Sequence, residues 1–465
     1  MLSRRLLFHL RAQLVIGLVL FLLWGCAVNT QKPQHPELPT NVAFTAPLSA
    51  GKTSLEPWWN TNLSASLSER VESMLLGNPA VRIAAKEVEE QRSLLDFAEA
   101  QRWLDIQGSA SGETTSTDGD SRSSTQLRID LQLPLDLFSR LQHSRDAAAF
   151  DLAASLARLE QERIEQAESF LLQHIEAAEA QQLLQLLDQQ IETVSTLLRL
   201  TEFRFGQGLV SSVDVLQQRE QLASLKQQPT SVRLTLRQAL SALAELNGDL
   251  PSTAAEGPRK MPNVDANFAI SKPADLLQRR PDLIEKRTAL MASDKRYAAA
   301  LSEKLPDISL SSSALLRMIA GDSSRILSAA IDAAVTLFDS GALDANSARK
   351  RAELERAGIE YLQSWLTAVR ETDDLLQALN TNQEQLQLSN DRTQVASNLF
   401  KATKRRYERG VSDYLPVLAA LRSLQQQQRD HLALQAQRLR LIVRLHSAMG
   451  LPAEDNIVEQ AGGRA

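Results

Sequence analysis

The chain has 465 residues, only 5% of them aromatic, and 51 Lys plus Arg against 56 Asp plus Glu leave a formal charge of −5. So balanced a surface has no pull toward polyanions and few rings for base stacking, so nucleic acid is not an expected partner, and an all-β sandwich is equally disfavoured. One cysteine rules out an internal disulfide and a four-thiolate zinc site, and the six histidines are too scattered to pair on one helix, so neither metal nor cofactor is expected.

The N-terminus carries Arg4, Arg5 and Arg11 ahead of an apolar run from Leu14 to Leu23. A basic flank and so short a run fit a secretory signal over 1–25, since a bilayer span takes about 20 apolar residues. Leu23-Trp24-Gly25-Cys26 resembles a bacterial lipoprotein cleavage box, although Trp24 stands where a small residue is usual. The resemblance implies lipidation at the Cys26 thiol, and Ala27 in place of Asp implies sorting to the outer membrane. Residues 26–63 hold Pro33, Pro36, Pro39, Pro47 and Pro57 and read as an extended, lipidated tether rather than a packed element.

Beyond the tether the chain repeats itself at a constant offset of 202 positions: Pro79 with Pro281, Asp105-Ile106 with Asp307-Ile308, Gly208 with Gly410, Val215-Leu216 with Val417-Leu418, and Gly248 with Gly450. This spacing predicts two tandem copies, 64–250 and 274–450, joined by a linker at 251–273 and followed by a tail at 451–465. Each copy opens on a helix with proline in its first turn, Asn78-Pro79 and Pro281-Asp282.

Alternating segments follow. In Gln126 to Leu133 apolar and polar residues change places at every step, which makes a strand with one greasy face. Strands are expected at about 105–112 and 125–135 in the first copy and about 307–315 and 325–337 in the second, with Thr114 to Ser124 as a polar loop. Then Phe138 to about Arg204 contains neither proline nor glycine. About 67 helical residues reach about 100 Å, and the second copy does the same from Gly341 to about Tyr407. The chain turns at Gly208 and at Gly410, and a second helix returns to Gly248 or Gly450.

Four such strands cannot stand alone in lipid, because their edges leave backbone groups unpaired, and they are too few to close a barrel. If they are membranous, several copies must contribute. Helices of about 100 Å then project out of a bilayer whose apolar core is about 30 Å.

At these positions the chain resembles the TolC-like outer-membrane factor family, in its efflux-lipoprotein branch of NodT type. The resemblance rests on Leu276-Leu277-Gln278-Arg279-Arg280-Pro281-Asp282, on Leu337-Phe338-Asp339-Ser340-Gly341, on the two hairpins Phe205 to Leu216 and Tyr407 to Leu418, and on the helix ends at Gly248 and Gly450. It implies a homotrimer that closes one β-barrel in the outer membrane above an α-helical barrel in the periplasm. Such a channel is a passive export duct for drugs or other small molecules, docked to a periplasmic adaptor and an inner-membrane pump. It also implies that Gly208, Asp214, Arg409, Gly410 and Asp413 lie at the periplasmic tip, where the adaptor binds. Members of the family commonly carry Asp six or nine residues after the second hairpin's glycine, but here those positions are Pro416 and Ala419. Helix capping accounts equally for Asp214 and Asp413.

No catalytic constellation emerges, so an enzyme is not expected. Gly206-Gln207-Gly208 lacks the third glycine of a dinucleotide loop, and the adjacent acids Glu89-Glu90 and Asp373-Asp374 splay about 100° apart on a helix. Arg279-Arg280 reads as a surface or fold feature, with a phosphate site as the minor alternative. Two other functions fit parts of the pattern: a lipid-anchored periplasmic coiled-coil scaffold or adaptor without a pore, and the same channel serving protein secretion or metal export.

Overall fold

A computed structural model of the chain describes residues 38–39, 43–45, 57–117, 120–251, 257–258, 260–266, 272–319 and 322–450. Cys26, the signal segment and the 451–465 tail lie outside the described residues. In chain order the elements are α1 (Trp58–Asn62), α2 (Ala65–Gly77), α3 (Pro79–Ala100), β1 (Asp105–Thr117), β2 (Asp120–Pro134), α4 (Arg140–Gly206), α5 (Ser212–Leu246), α6 (Leu276–Arg279), α7 (Pro281–Ser302), β3 (Asp307–Ile319), β4 (Asp322–Ala334), α8 (Ala342–Glu408) and α9 (Tyr414–Met449). The chain is mainly α with one small sheet.

Helices α4 and α8 have 67 residues each, about 100 Å of rod. They start where aspartates turn the chain out of the sheet. Asp136 accepts from the backbone N–H of Leu141 and Gln142, and Asp339 accepts from Gly341 and Leu343. Those amides hold the Asp339 carboxyl below the usual carboxylate range, Leu343 contributing most. Each rod turns back at a glycine and pairs with α5 or α9, about half its length, while α7 packs against both rods and α3 against α4.

Two apolar cores hold the helices. One gathers Trp59, Met74, Phe170, Leu276, Trp365 and Leu445 where the ends of both copies meet. The other lies toward the hairpins and contains Leu197, Leu225, Phe400, Tyr407, Tyr414 and Leu421. Among the described residues no helix is long and apolar enough to cross a membrane.

The sheet is antiparallel throughout, in the order β1-β2-β3-β4. Directly paired residues share a face, so the register settles which side each residue takes. Ile106–Leu131, Leu127–Leu316, Leu133–Leu310, Leu310–Ile331 and Ala314–Leu327 fall on one face. Gln107–Asp130–Ser313–Ser328 and Asp105–Gln132–Ser311–Ala330 fall on the other. The sheet is thus greasy on one side and mostly polar on the other, where Leu315, Ile326 and Ile319 are the large apolar exceptions, and its edges β1 and β4 have no partner among the described residues.

Three expectations need correction. The strands are longer at the hairpin end than alternation predicts: within the expected loop, Thr114–Thr117 and Asp120–Ser124 pair in β1 and β2, and β3 and β4 likewise extend to Ile319 and back to Asp322. Beyond the greasy band both faces meet water, so pairing continues with no hydrophobic period to betray it. At the helix end β4 stops at Ala334 rather than 337, because its partner β3 begins at Asp307, after Pro306, which has no N–H to give the ladder. Finally, the segments taken as tether and linker pack in part. Trp58 and Trp59 are buried, Leu38 and Phe44 lie against the core, and Thr45 donates to Asp373. From the linker, Val264 is buried and the Asp265 N–H donates to the carbonyl of Asn62. These contacts carry no helical or strand period, which is why periodicity misses them.

Candidate functional site

Gly208 and Gly410 both take positive φ, +71° and +74°, so each helix ends on a left-handed residue that glycine adopts without strain. The caps match: Leu209 N–H donates to Arg204 O, and Val411 N–H to Arg406 O. The helices that follow start differently. Ser211 and Asp214 form a reciprocal capping box, whereas Asp413 holds the same place with no side-chain capping bond. Asp214 is thus accounted for by capping. Among the described residues no ion pair joins Arg409 and Asp413, and Arg409 is exposed.

What ties the two hairpins together is a set of residues that sequence reasoning missed. Arg204, from the first hairpin, lies 4.4 Å from the ring centroid of Tyr407 in the second and donates to the Tyr407 carbonyl. A guanidinium there meets both a π face and the negative end of α8. Tyr407 and Tyr414 pack edge to face at 5.9 Å, and both are buried. Burial, and then the neighbouring Tyr407, push the Tyr414 phenol above its ordinary range. Outward from this latch Phe203, Leu209, Val213 and Leu216 on the first hairpin, and Val411 and Leu415 on the second, expose large apolar side chains. The hairpins therefore close on each other by aromatic packing and offer a greasy, basic end to whatever they meet. The repeat flags Tyr407 as the counterpart of Phe205, but Phe205 is half exposed while Tyr407 is buried, so the offset alone does not reveal the contact.

The family-signature residues lie elsewhere, at the joint between helix ends. Arg280 is 8% exposed, so of the two expectations, surface or fold feature, it is a feature of the fold. Its guanidinium grips Asp282 with two bonds of 3.0 and 2.9 Å, and also donates to Glu371 at 2.9 Å and to the Ala448 carbonyl at 3.0 Å. All of these acceptors are internal, so the Arg280 guanidinium is engaged within the fold. Pro281 follows as the buried first residue of α7, and half-buried Arg279 has its charge disfavoured by desolvation. In the first copy the same place is held by Asn78, whose amide donates to the Leu246 carbonyl at 2.8 Å while its oxygen caps Ala80 and Val81. Leu246 and Ala448 stand at the repeat offset, so one joint is built twice with different chemistry. Phe338 and Gly341 mark the other joint, where strand becomes rod: Phe338 is 86% exposed and Gly341 takes φ +88°.

Residues 71–249 and 273–451 each match the family described as Outer membrane efflux protein. The chain belongs to that family. It is similar to the solvent efflux pump outer membrane protein SrpC of Pseudomonas putida, 29% identical over 463 residues that cover 93% of this chain and 96% of the relative. It is also similar to nodulation protein T of Rhizobium leguminosarum bv. trifolii, at 22% identity over 87% of this chain and 89% of that one. Among solved structures the outer-membrane channel OprN superposes with a TM-score of 0.81 at 23% identity, over 90% of this chain and 99% of that one. The fold is that of a TolC-like channel, and the protein is an outer-membrane efflux component. The family and its relatives are channels rather than enzymes.

Proposed function

We propose that three copies of this chain form the outer-membrane duct of a tripartite pump, closing a twelve-stranded barrel and a helical barrel below it. The observation that supports this most directly is the sheet: four strands, greasy on one face, polar on the other, with both edges unpaired among the described residues. Placing β4 of one copy against β1 of the next satisfies every edge, leaves the greasy face on lipid and lines the bore with Gln107, Arg128, Asp130 and serines. The rods then carry the hairpin ends about 100 Å away, where Gly208, Asp214, Arg409, Gly410 and Asp413 lie beside the exposed apolar residues that engage a periplasmic adaptor. Energy comes from the inner-membrane pump that the adaptor recruits. The cargo is drugs or other small molecules, in keeping with the solvent efflux for which SrpC is named. Cys26 carries the lipid that holds the N-terminus to the membrane.

The test is native mass measurement of the detergent-extracted protein, paired with drug susceptibility of a host lacking its own channel. A trimer that restores resistance only when the matching adaptor and pump are present is expected. A monomer that stays water-soluble once the lipid anchor is removed points instead to a periplasmic scaffold. Cys26→Ala is expected to leave the chain folded but mislocalised or less active, and unchanged fractionation counts against lipidation.

A further inference from the structure

The greasy face of the sheet carries one charge. Tracing the register through all four described strands, every residue on that face is apolar, glycine, serine or threonine except Arg325 on β4. Arg325 pairs directly with Leu316, which pairs with Leu127, and its own strand continues on that face to Leu327. No carboxylate shares that side. Among the described residues Arg325 makes no ion pair, whereas Arg128, on the polar face, is held by Asp130 at 2.7 Å. Arg325 is exposed.

Its height explains how a charge is tolerated there. The lowest apolar pair on that face is Ile308–Ala333, and the row of Arg325 lies eight residues up β3, at Leu316. That is about 26 Å along a strand and, at a tilt of about 40°, about 20 Å along the membrane normal. Leu337, Phe338 and Trp103, just beyond the strand ends, are also exposed. Above Leu316 the face turns mostly polar, with Ser323, Thr125 and Thr114 around a single large apolar residue, Met318. Because the long rods leave from the other end of the sheet, this upper rim is the one facing away from the periplasm. A lipid-facing arginine costs about 2–4 kcal/mol at mid-bilayer but nearly nothing at the interface, where its head snorkels to the headgroups. Guanidinium presents a planar fork that matches a phosphate.

We propose that Arg325 binds a terminal phosphate monoester of a lipid headgroup in the outward-facing leaflet, one whose charge no choline offsets, so that a closed barrel carries a ring of such sites around its upper rim. This rests on the sheet lying in the membrane with its greasy face outward. The greasy wall beside Arg325, formed by Leu316, Leu327 and Leu127, takes the acyl chains of the same lipid.

The test is native mass spectrometry of the full-length detergent-purified protein titrated with diphosphoryl lipid A, with phosphatidylcholine, and with inorganic phosphate as competitor. Arg325→Gln is expected to weaken lipid A binding about fivefold per site, Arg325→Lys to retain most of it, and phosphatidylcholine binding to stay the same. Equal lipid A binding by the wild type and Arg325→Gln overturns the proposal. So does displacement of lipid A by inorganic phosphate alone, which makes free phosphate the ligand. Flotation with vesicles of the same lipids separates the two levels. A protein that fails to insert defeats the membrane reading, whereas one that inserts but binds lipid A without regard to residue 325 defeats only this site.

Discussion

The two copies within the chain build one joint from different materials. In the first, neutral Asn78 caps α3 and reaches the Leu246 carbonyl; in the second, Arg280 reaches the Ala448 carbonyl and needs Asp282 and Glu371 to neutralise it. The glycine that closes each joint also differs in crowding. A Cβ on Gly248 would stand 3.1 Å from the Gly77 carbonyl oxygen, but on Gly450 it would stand 2.2 Å from that of Arg279. The backbone path is shared and the chemistry is not. The second joint is the more tightly specified, because a buried ion network tolerates less than an amide does.

The largest effect expected from that contrast is at Arg280. Arg280→Leu strands two carboxylates beside a carbonyl and is expected to cost on the order of 3 kcal/mol. Asn78→Ala loses a cap and the amide's bonds to Leu246 and Gln166, about 1–2 kcal/mol. Denaturant midpoints of the solubilised protein measure both, and equal losses break the asymmetry. Gly450→Ala is next, expected to cost about 3 kcal/mol or to abolish assembly. Gly248→Ala is expected to cost about 1–2 kcal/mol, mainly through its positive φ.

A smaller effect is pH-dependent. His446 stacks on Trp58 at 5.0 Å and bonds the Asp265 carbonyl at 2.9 Å, while His174 lies buried beside Phe170. Burial pushes both imidazoles down to about 4. The folded protein therefore binds these protons less readily than the unfolded chain does. Their contribution is complete above about pH 6.5 and is lost as pH falls toward 4. Melting temperature should drop over that window, and His446→Gln should flatten the slope. The smallest effect on stability is expected at the hairpin ends. Charge reversal at Arg409 and Asp413 should leave trimer assembly intact while breaking coupling to the adaptor, and normal drug resistance in that variant would remove these residues from the contact.

What could be read from the residues follows from where physics leaves a period. The alternation of Leu127, Ile129, Leu131 and Leu133 announces a strand because one side meets lipid. The long rods show through their missing breakers, and Gly208 and Gly410 through their place in the repeat. The outer strand halves were illegible because water on both faces erases the pattern, although Thr114 and Ser123 still meet at 3.2 Å. Arg204 and Tyr407 were illegible for another reason: they touch across some 200 residues, and nothing local to either reports the other. Arg280 sat in a recognisable string, but only the fold turns it inward onto Ala448.

The pairing of β2 with β3 sets the order of events at the chain's birth. These two strands belong to different copies and are separated by both helices of the first hairpin, the linker, α6 and α7, so the central seam of the sheet cannot be sewn until most of the polypeptide has crossed into the periplasm. Until then β1 and β2 form a ribbon with bare margins, the kind of edge that invites mispairing. A chain cut short before Asp307 would be left holding that ribbon, a ready target for periplasmic chaperones and proteases.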